Sequence, residues 1–229
     1  MKKHLIIVAG GSGKRMNIEK PKQFALLNNI PVLMHTIKKF HDFDSKINSV
    51  VVLPEPHLDE WKMLCRKYAF HIPHRTTGGG STRFHSVKEG LGQIFDEDGY
   101  VAIHDGVRPF VSNSTITCCF DAAAVYKSAI PVVTPPDSLR IIEGGESKTI
   151  DRNHVRIIQT PQVFELNMLR KAYEQPYQDL FTDDATVVEA AGNKIFLTDG
   201  NRENIKITHP EDWLLAESIM KEQNNKRNT

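Results

Sequence analysis

Nowhere in this chain does an apolar run approach the ~20 residues needed to cross a bilayer as a helix. The first such run, residues 5–9, is too short for the core of a secretion signal and passes at once into glycines and cations. Cysteine is scarce: Cys65, Cys118 and Cys119 are the only three, and none forms a Cys-x-x-Cys pair. A disulfide scaffold and a cysteine zinc site are therefore excluded, and buried, reduced thiols in a cytoplasmic protein are expected. Neither sign of charge dominates, with 29 Lys+Arg against 28 Asp+Glu and a net charge of +1. A nucleic-acid binder would need a basic stripe that this chain lacks, and a membrane is not expected as a partner either. Low-complexity tracts and internal repeats are missing too. What is present is ordinary globular composition, 40% hydrophobic and 25% charged. The 229 residues can bury one sizeable core, read here as a single domain over 1–229. The polar tail, 222–229, is expected to fray.

Apolar runs that read as strands alternate with helical patterns. Strands are expected over 5–9, 49–54, 100–104, 130–134 and 195–198. Helices are expected over 32–43, 58–70, 82–95, 114–126, 166–174, 184–191 and 210–222. Continuous apolar strands separated by helices indicate crossover units, hence an α/β fold with a mainly parallel sheet flanked by helices. Thr208-His209-Pro210-Glu211 reads as a capping box opening the last helix. One segment breaks the alternation. Two short β-like pieces surround Glu143-Gly144-Gly145-Glu146, so a hairpin is expected to project as an arm at about 135–155.

The chemistry begins at the first strand. Leu5-Ile6-Ile7-Val8-Ala9 feeds Gly10-Gly11-Ser12-Gly13-Lys14-Arg15-Met16, and Pro21-Lys22-Gln23 follows. A Walker loop fails here because Val8 stands where its first glycine belongs and Arg15 where its hydroxyl belongs. The dinucleotide fingerprint fails at Met16, which argues against a nicotinamide-dependent oxidoreductase. Glycines let backbone amides approach phosphate oxygens, and Arg15 and Lys22 supply the opposing charge. A second constellation, His104-Asp105-Gly106-Val107-Arg108, ends an apolar strand, where open α/β sheets carry their ligand crevice. Asp105 there suits a divalent cation, directly or through water, and Arg108 suits an anion, while His104 reads as a packed residue. Gly78-Gly79-Gly80-Ser81-Thr82-Arg83 with Ser86 is a glycine turn entering a helix, with Ser81 as its expected N-cap. Thr182-Asp183-Asp184 and Asn204-Ile205-Lys206 complete the set. No serine or cysteine nucleophile pairs with a histidine in these motifs.

Taken together, these residues resemble the cytidylyltransferases of sugar-alcohol phosphates, above all the 2-C-methyl-D-erythritol 4-phosphate cytidylyltransferase family, from about Leu5 to Glu217. The resemblance implies a Rossmann-like domain and Mg²⁺-dependent transfer of CMP from CTP to a sugar-alcohol phosphate, in a homodimer built through the arm. It implies that Arg15 and Lys22 stabilise the transition state, with Ala9, Gly10, Gly11 and Gly13 around the phosphates. Gly79, Gly80, Ser81, Arg83 and Ser86 resemble the cytidine-binding turn. Asp105 resembles the residue that serves both Mg²⁺ and the acceptor. Gly106, Arg108, Thr182 and Lys206 resemble acceptor binders, joined by Ser138 and Arg152 from the neighbour's arm. Arg152 and Lys206 would orient the attacking phosphate. Three departures stand out. Ser138 replaces the usual threonine, and Ser81 replaces an acidic residue of some members. Residues 8–11 and Val107 are similar to the sister branch that uses ribitol 5-phosphate. Asp151-Arg152-Asn153, Thr160-Pro161-Gln162, Thr182-Asp183-Asp184 and Asn204-Ile205-Lys206 are more similar to the methylerythritol branch. A non-catalytic nucleotide-binding regulator is the remaining alternative, and Arg15, Lys22 and Asp105 argue against it.

Overall fold

The computed structural model describes residues 1–11 and 21–227. In chain order the elements are β1 (Lys3–Val8), β2 (Leu26–Leu27), β3 (Ile30–Pro31), α1 (Val32–Phe43), β4 (Asn48–Leu53), α2 (Leu58–Lys67), β5 (Arg75–Gly78), α3 (Arg83–Gly92), β6 (Tyr100–Asp105), α4 (Asn113–Tyr126), β7 (Ser128–Val133), β8 (Leu139–Glu143), β9 (Glu146–Ile150), β10 (Ile157–Ile158), β11 (Gln162–Glu165), α5 (Leu166–Ala172), α6 (Asp184–Ala190), β12 (Leu197–Asp199) and α7 (Pro210–Arg227). No helix among the described residues is long and apolar enough to cross a membrane.

The first run is apolar throughout because β1 lies mid-sheet with both faces covered. It pairs in parallel with β4 on one side and β6 on the other, Ile6 facing Val50 and Ile103. Leu5 and Ile7 enter the core layer of α1, α2 and α4 with Phe40, Trp61 and Phe120, whereas Ile6 enters the opposite layer with Phe84 and Val87 of α3. The sheet runs β10-β7-β11-β6-β1-β4-β5, with β12 added beside β7. The β4, β1, β6 and β5 ladders are parallel, but β11 inserts antiparallel between β6 and β7.

Several expected boundaries shift. Strand β7 starts two residues early because Ser128 is buried and its hydroxyl donates to the Lys194 carbonyl at 2.7 Å. Helix α2 stops at Lys67, ahead of Ala69 with φ +47°, a conformation that ends a helix. The N-cap of α3 is Thr82, not Ser81, and accepts from the His85 amide. The acidic partner at the start of α7 is Asp212, not Glu211: its Oδ2 accepts from the amides of Thr208 and His209, both at 2.8 Å. The tail expected to fray continues α7 to Arg227. Of the cysteines only Cys119 is buried and Cys118 is exposed; burial raises Cys65 to about 11 and Cys119 to about 12.

Strands β8 and β9 form the projecting arm and pair only with each other. Gly144 at φ +58° and Gly145 at φ +86° make the tight turn, which side chains resist. Arg140 ties the two strands by donating to Ser147 and Thr149.

Trp61 links this core to the cleft described below. It is 1% exposed, stacks on Phe24 at 5.8 Å, and its Nε1 donates to His74 Nε2 at 3.0 Å. Phe24 in turn closes the short helical turn that carries Lys22. Trp61→Ala should lower unfolding free energy by about 3–5 kcal/mol, read as a lower urea midpoint with an unchanged m-value.

Candidate active site

The carboxyl ends of β1, β4, β5 and β6 open on one crevice, as the parallel ladders require. Two clefts lie there. The larger, about 550 Å³, runs from Ala9, Gly10, Gly11 and Lys22 to Gly79, Gly80, Ser81 and Ser86. The smaller, about 250 Å³, is lined by Arg108, Gln159, Thr160, Gln162 and Thr182. Arg83, Asp105 and Lys206 line both, so the clefts share a wall of two cations around one carboxylate.

At the first strand's end, the Ala9 amide donates to Val52 O at 2.9 Å, which fixes the loop against β4. A side chain at Gly11 would come within 3.0 Å of Lys22 Cε, so glycine leaves room for the lysine to lie across the loop. Lys22 Nζ donates to the Ile207 carbonyl at 3.3 Å, beside Lys206. The expected phosphate-loop residues Gly13 and Arg15 lie outside the described residues. On the opposite wall, Gly79 packs against Ser86, whose hydroxyl donates to Thr82 O at 2.9 Å.

Asp105 stands where the two clefts join. Its Oδ2 accepts from Arg108 Nε at 3.0 Å and from Lys206 Nζ at 3.1 Å. Burial alone would raise its pKa, but Lys206, Arg83 and Arg108 together hold the carboxyl well below the usual carboxylate range. Arg108 is gripped from its other side by the Asn204 carbonyl at 2.8 Å. Behind Asp105 a relay of hydrogen bonds fixes the strand end. The Asp105 amide donates to Thr160 Oγ1 at 3.2 Å, which donates to His104 Nδ1 at 2.9 Å, and His104 Nε2 donates to Arg108 O at 2.9 Å. That arrangement needs a neutral imidazole, and burial lowers His104 to about 4.

Arg83 is held from beneath. Its Nη2 donates to Asp184 Oδ2 at 2.6 Å, and Tyr173 Oη donates to Asp184 Oδ1 at 2.6 Å. Asp184 is wholly buried. Burial alone would lower the Arg83 pKa, but Asp184 outweighs it and keeps the guanidinium charged; burial and Asp184 raise the Tyr173 phenol, which stays a donor. A buried carboxylate is costly unless its lone pairs are filled, and here both oxygens are.

Of the expected residues, Gly106 lines neither cleft. Its amide donates to Val8 O and a Cβ there would stand 2.9 Å from the Ala9 Cβ, so it serves close packing beneath the loop. Ser138 and Arg152 also line neither cleft of their own chain: both are exposed on or beside the arm, and Arg152 donates to the Pro136 carbonyl. Sequence reasoning missed Tyr173 and Glu55, and it read Thr160 and Gln162 only as family markers. Gln162 proves structural, donating to Asp183 Oδ2 and accepting from the Ala185 amide at the start of α6. The flanking prolines of Pro54-Glu55-Pro56, beside a strand end, were the available signal for Glu55.

Burial lowers His4, His35 and His74 as well as His104. A histidine kept neutral in the fold takes up protons more readily when unfolded. Its contribution is therefore complete above the ordinary value of 6.5 and is lost as pH falls; for His104 the loss runs from 6.5 down to about 4. Melting temperature should fall across that window, and His104→Gln should make the fall shallower; an equal slope would contradict the assignment.

The 2-C-methyl-D-erythritol 4-phosphate cytidylyltransferase family model matches residues 3–222. A protein of that name from Phocaeicola vulgatus is 48% identical over 220 residues, covering 96% of this chain and 100% of the relative. One from Bacteroides fragilis is 48% identical over 215 residues, covering 94% and 98%. The crystal structure of 4-diphosphocytidyl-2C-methyl-D-erythritol synthase from Anaerococcus prevotii superposes with a TM-score of 0.81 at 28% identity, covering 96% and 98%. With a family model matched over nearly its whole length, this chain belongs to the 2-C-methyl-D-erythritol 4-phosphate cytidylyltransferase family.

Proposed function

We propose that this chain transfers CMP from CTP to 2-C-methyl-D-erythritol 4-phosphate, releasing pyrophosphate, a step of isoprenoid precursor synthesis. The observation that carries the reading is the wall shared by two clefts, with Arg83, Asp105 and Lys206 facing both. The larger cleft suits the nucleotide and the smaller one the sugar-alcohol phosphate. Family membership favours methylerythritol phosphate over ribitol 5-phosphate as acceptor.

The attacking group is a phosphate monoester, whose second pKa of about 6 leaves it mostly ionised at neutral pH. It needs no general base, which agrees with His104 being locked neutral in a structural relay. What opposes reaction is charge, because two anions must meet while more negative charge gathers on the α-phosphoryl oxygens. Lys22 is tethered over the glycine loop and Lys206 stands at the cleft junction, so neither has far to move when the polyanion enters. In-line attack from the smaller cleft on the α-phosphate, with pyrophosphate leaving along the glycine loop, fits this layout. Arg15 is the second cation assigned to that loop.

Mg²⁺ is the proposed cofactor. Asp105 is ionised, and its Oδ1 carries no hydrogen bond among the described residues. No cluster of three or more metal-ligating side chains occurs among them. One carboxylate suits a cation that keeps several waters and is held mainly by substrate phosphates. When bound, Mg²⁺ neutralises triphosphate charge.

A homodimer that swaps arms is also proposed. The hairpin pairs with no other strand among the described residues, and Ile142 on it is 75% exposed. An isolated two-stranded hairpin is marginal in water. Docked on a neighbour it would deliver Ser138 and Arg152 to that subunit's smaller cleft. A cytoplasmic location accords with the CTP requirement.

Following pyrophosphate release with CTP and each acceptor should give turnover with methylerythritol phosphate; turnover with ribitol phosphate alone would overturn the reading. Lys22→Ala should lower kcat by about 10²–10³-fold while the circular dichroism spectrum is unchanged. Mixing inactive Arg152→Ala with inactive Lys22→Ala chains should restore part of the activity, since some hybrid sites keep both residues. No recovery after demonstrated subunit exchange would exclude arm sharing.

A further inference from the structure

We infer that Glu55 reads the ribose of the nucleotide, its carboxylate accepting hydrogen bonds from the sugar hydroxyls. The inference rests on the nucleotide reading of the larger cleft and adds to it a residue that no motif had singled out.

Glu55 lines the larger cleft, yet that cleft gathers cations for a polyanion: Lys22, Arg83 and Lys206. Glu55 is exposed on that wall, and a carboxylate there that neutralises no cation can accept from neutral donors on the ligand. Asp105 and Asp184 do the former. Glu55 makes no ion pair with any of the three, and it lies on a different part of the wall. It follows β4, and Gly78-Gly79-Gly80 follows the adjacent β5, with Leu53 in register with Gly78. From β6, which carries Asp105, the order is β1 and then β4. At about 4.8 Å per strand, Glu55 stands roughly 10 Å along the crevice from the junction of the clefts. The β1 loop with its phosphate-binding role lies between them. A triphosphate whose α-phosphate faces the junction therefore presents its nucleoside, not its phosphates, to Glu55.

The backbone that carries this side chain is constrained. Pro54 and Pro56 flank it and fix the backbone of the short 3₁₀ turn Glu55–His57. A Cβ at Gly78 would overlap Glu55 Oε2, so the carboxylate occupies space that only glycine leaves open. The hydroxyls on the facing wall are committed elsewhere, Ser86 to Thr82 O and Ser81 towards His85 Nδ1 at 3.4 Å. Among the described residues Glu55 is thus an uncommitted, acceptor-only group at the nucleoside end, and a vicinal diol offers two O–H donors to one carboxylate.

The test compares kcat/KM for CTP, 2′-deoxy-CTP and UTP in the wild-type protein, Glu55→Ala, Glu55→Gln and Gly78→Ala. The wild type should prefer CTP to 2′-deoxy-CTP by about 10-fold or more, because a site built to bond a hydroxyl rejects the analogue without it. Glu55→Ala should remove most of that preference through a higher KM for CTP, with kcat little changed. Glu55→Gln, which keeps one acceptor oxygen, should lie between. Gly78→Ala, which displaces the carboxylate without touching it chemically, should behave like Glu55→Ala. An unchanged ratio of CTP to 2′-deoxy-CTP in both Ala variants would overturn the inference. So would a collapse confined to the CTP to UTP ratio, which would place Glu55 at the base. Absence of any wild-type turnover with CTP would instead defeat the underlying nucleotide reading.

Discussion

Everything in this site depends on holding like charges close together before the substrate that neutralises them arrives. Lys206 and Arg108 both converge on Asp105 Oδ2, at 3.1 and 3.0 Å. Without that carboxylate the two cations would repel and their side chains would swing to solvent, where ion pairs contribute little. Asp105 itself is kept in place by its amide bond to Thr160 and the His104 relay. Arg83 has its own counterion beneath, the buried Asp184. Lys206, Arg108 and Arg83 are thus each held in place by a carboxylate. Electrostatic stabilisation works best in this form, since nothing must reorganise when charge develops.

The fold supplies this arrangement with little specialised sequence. Parallel strands bring Gly10, Glu55, Gly79 and Asp105 to one edge because β1, β4, β5 and β6 run in the same direction. The antiparallel β11 then lets Thr160 and Gln162 approach from the other side, one to fix the Asp105 amide and the other to fix the start of α6. The wall of the smaller cleft is therefore a consequence of strands β10 and β11 running the wrong way for a purely parallel sheet.

The elements that were legible are those with a continuous apolar run or a continuous apolar face. Strand β1 and helix α1 were expected within a residue or two, because Leu5 to Val8 and the face of Leu33, Ile37 and Phe40 carry their own apolar signal. Strand β5 was not, because Arg75-Thr76-Thr77-Gly78 is polar and held at the sheet edge by pairing with β4. Strands β10 and β11 were missed because they are short and take their place from β7 and β6. In the site, the charged residues were legible since charge at a strand end is rare without a reason. Tyr173 was not, because its role is to fill a lone pair of Asp184, and nothing in a local motif connects positions 11 residues apart by way of a buried carboxylate. The placement of Gly106 under the loop shows the opposite error, a motif neighbour that belongs to packing.

The tether from Lys22 to the Ile207 carbonyl spans 185 positions of the chain. Synthesis at about 5–20 residues per second separates the two by on the order of 10 to 40 s. Through that interval the N-terminal strands can pair, yet the Ile207 carbonyl that meets Lys22 and the Lys206 of the larger cleft have still to be made. A nascent chain therefore carries its glycine loop long before it carries a finished cleft, and the stretch just ahead of α7, with Lys206 and Ile207, is the one that completes it.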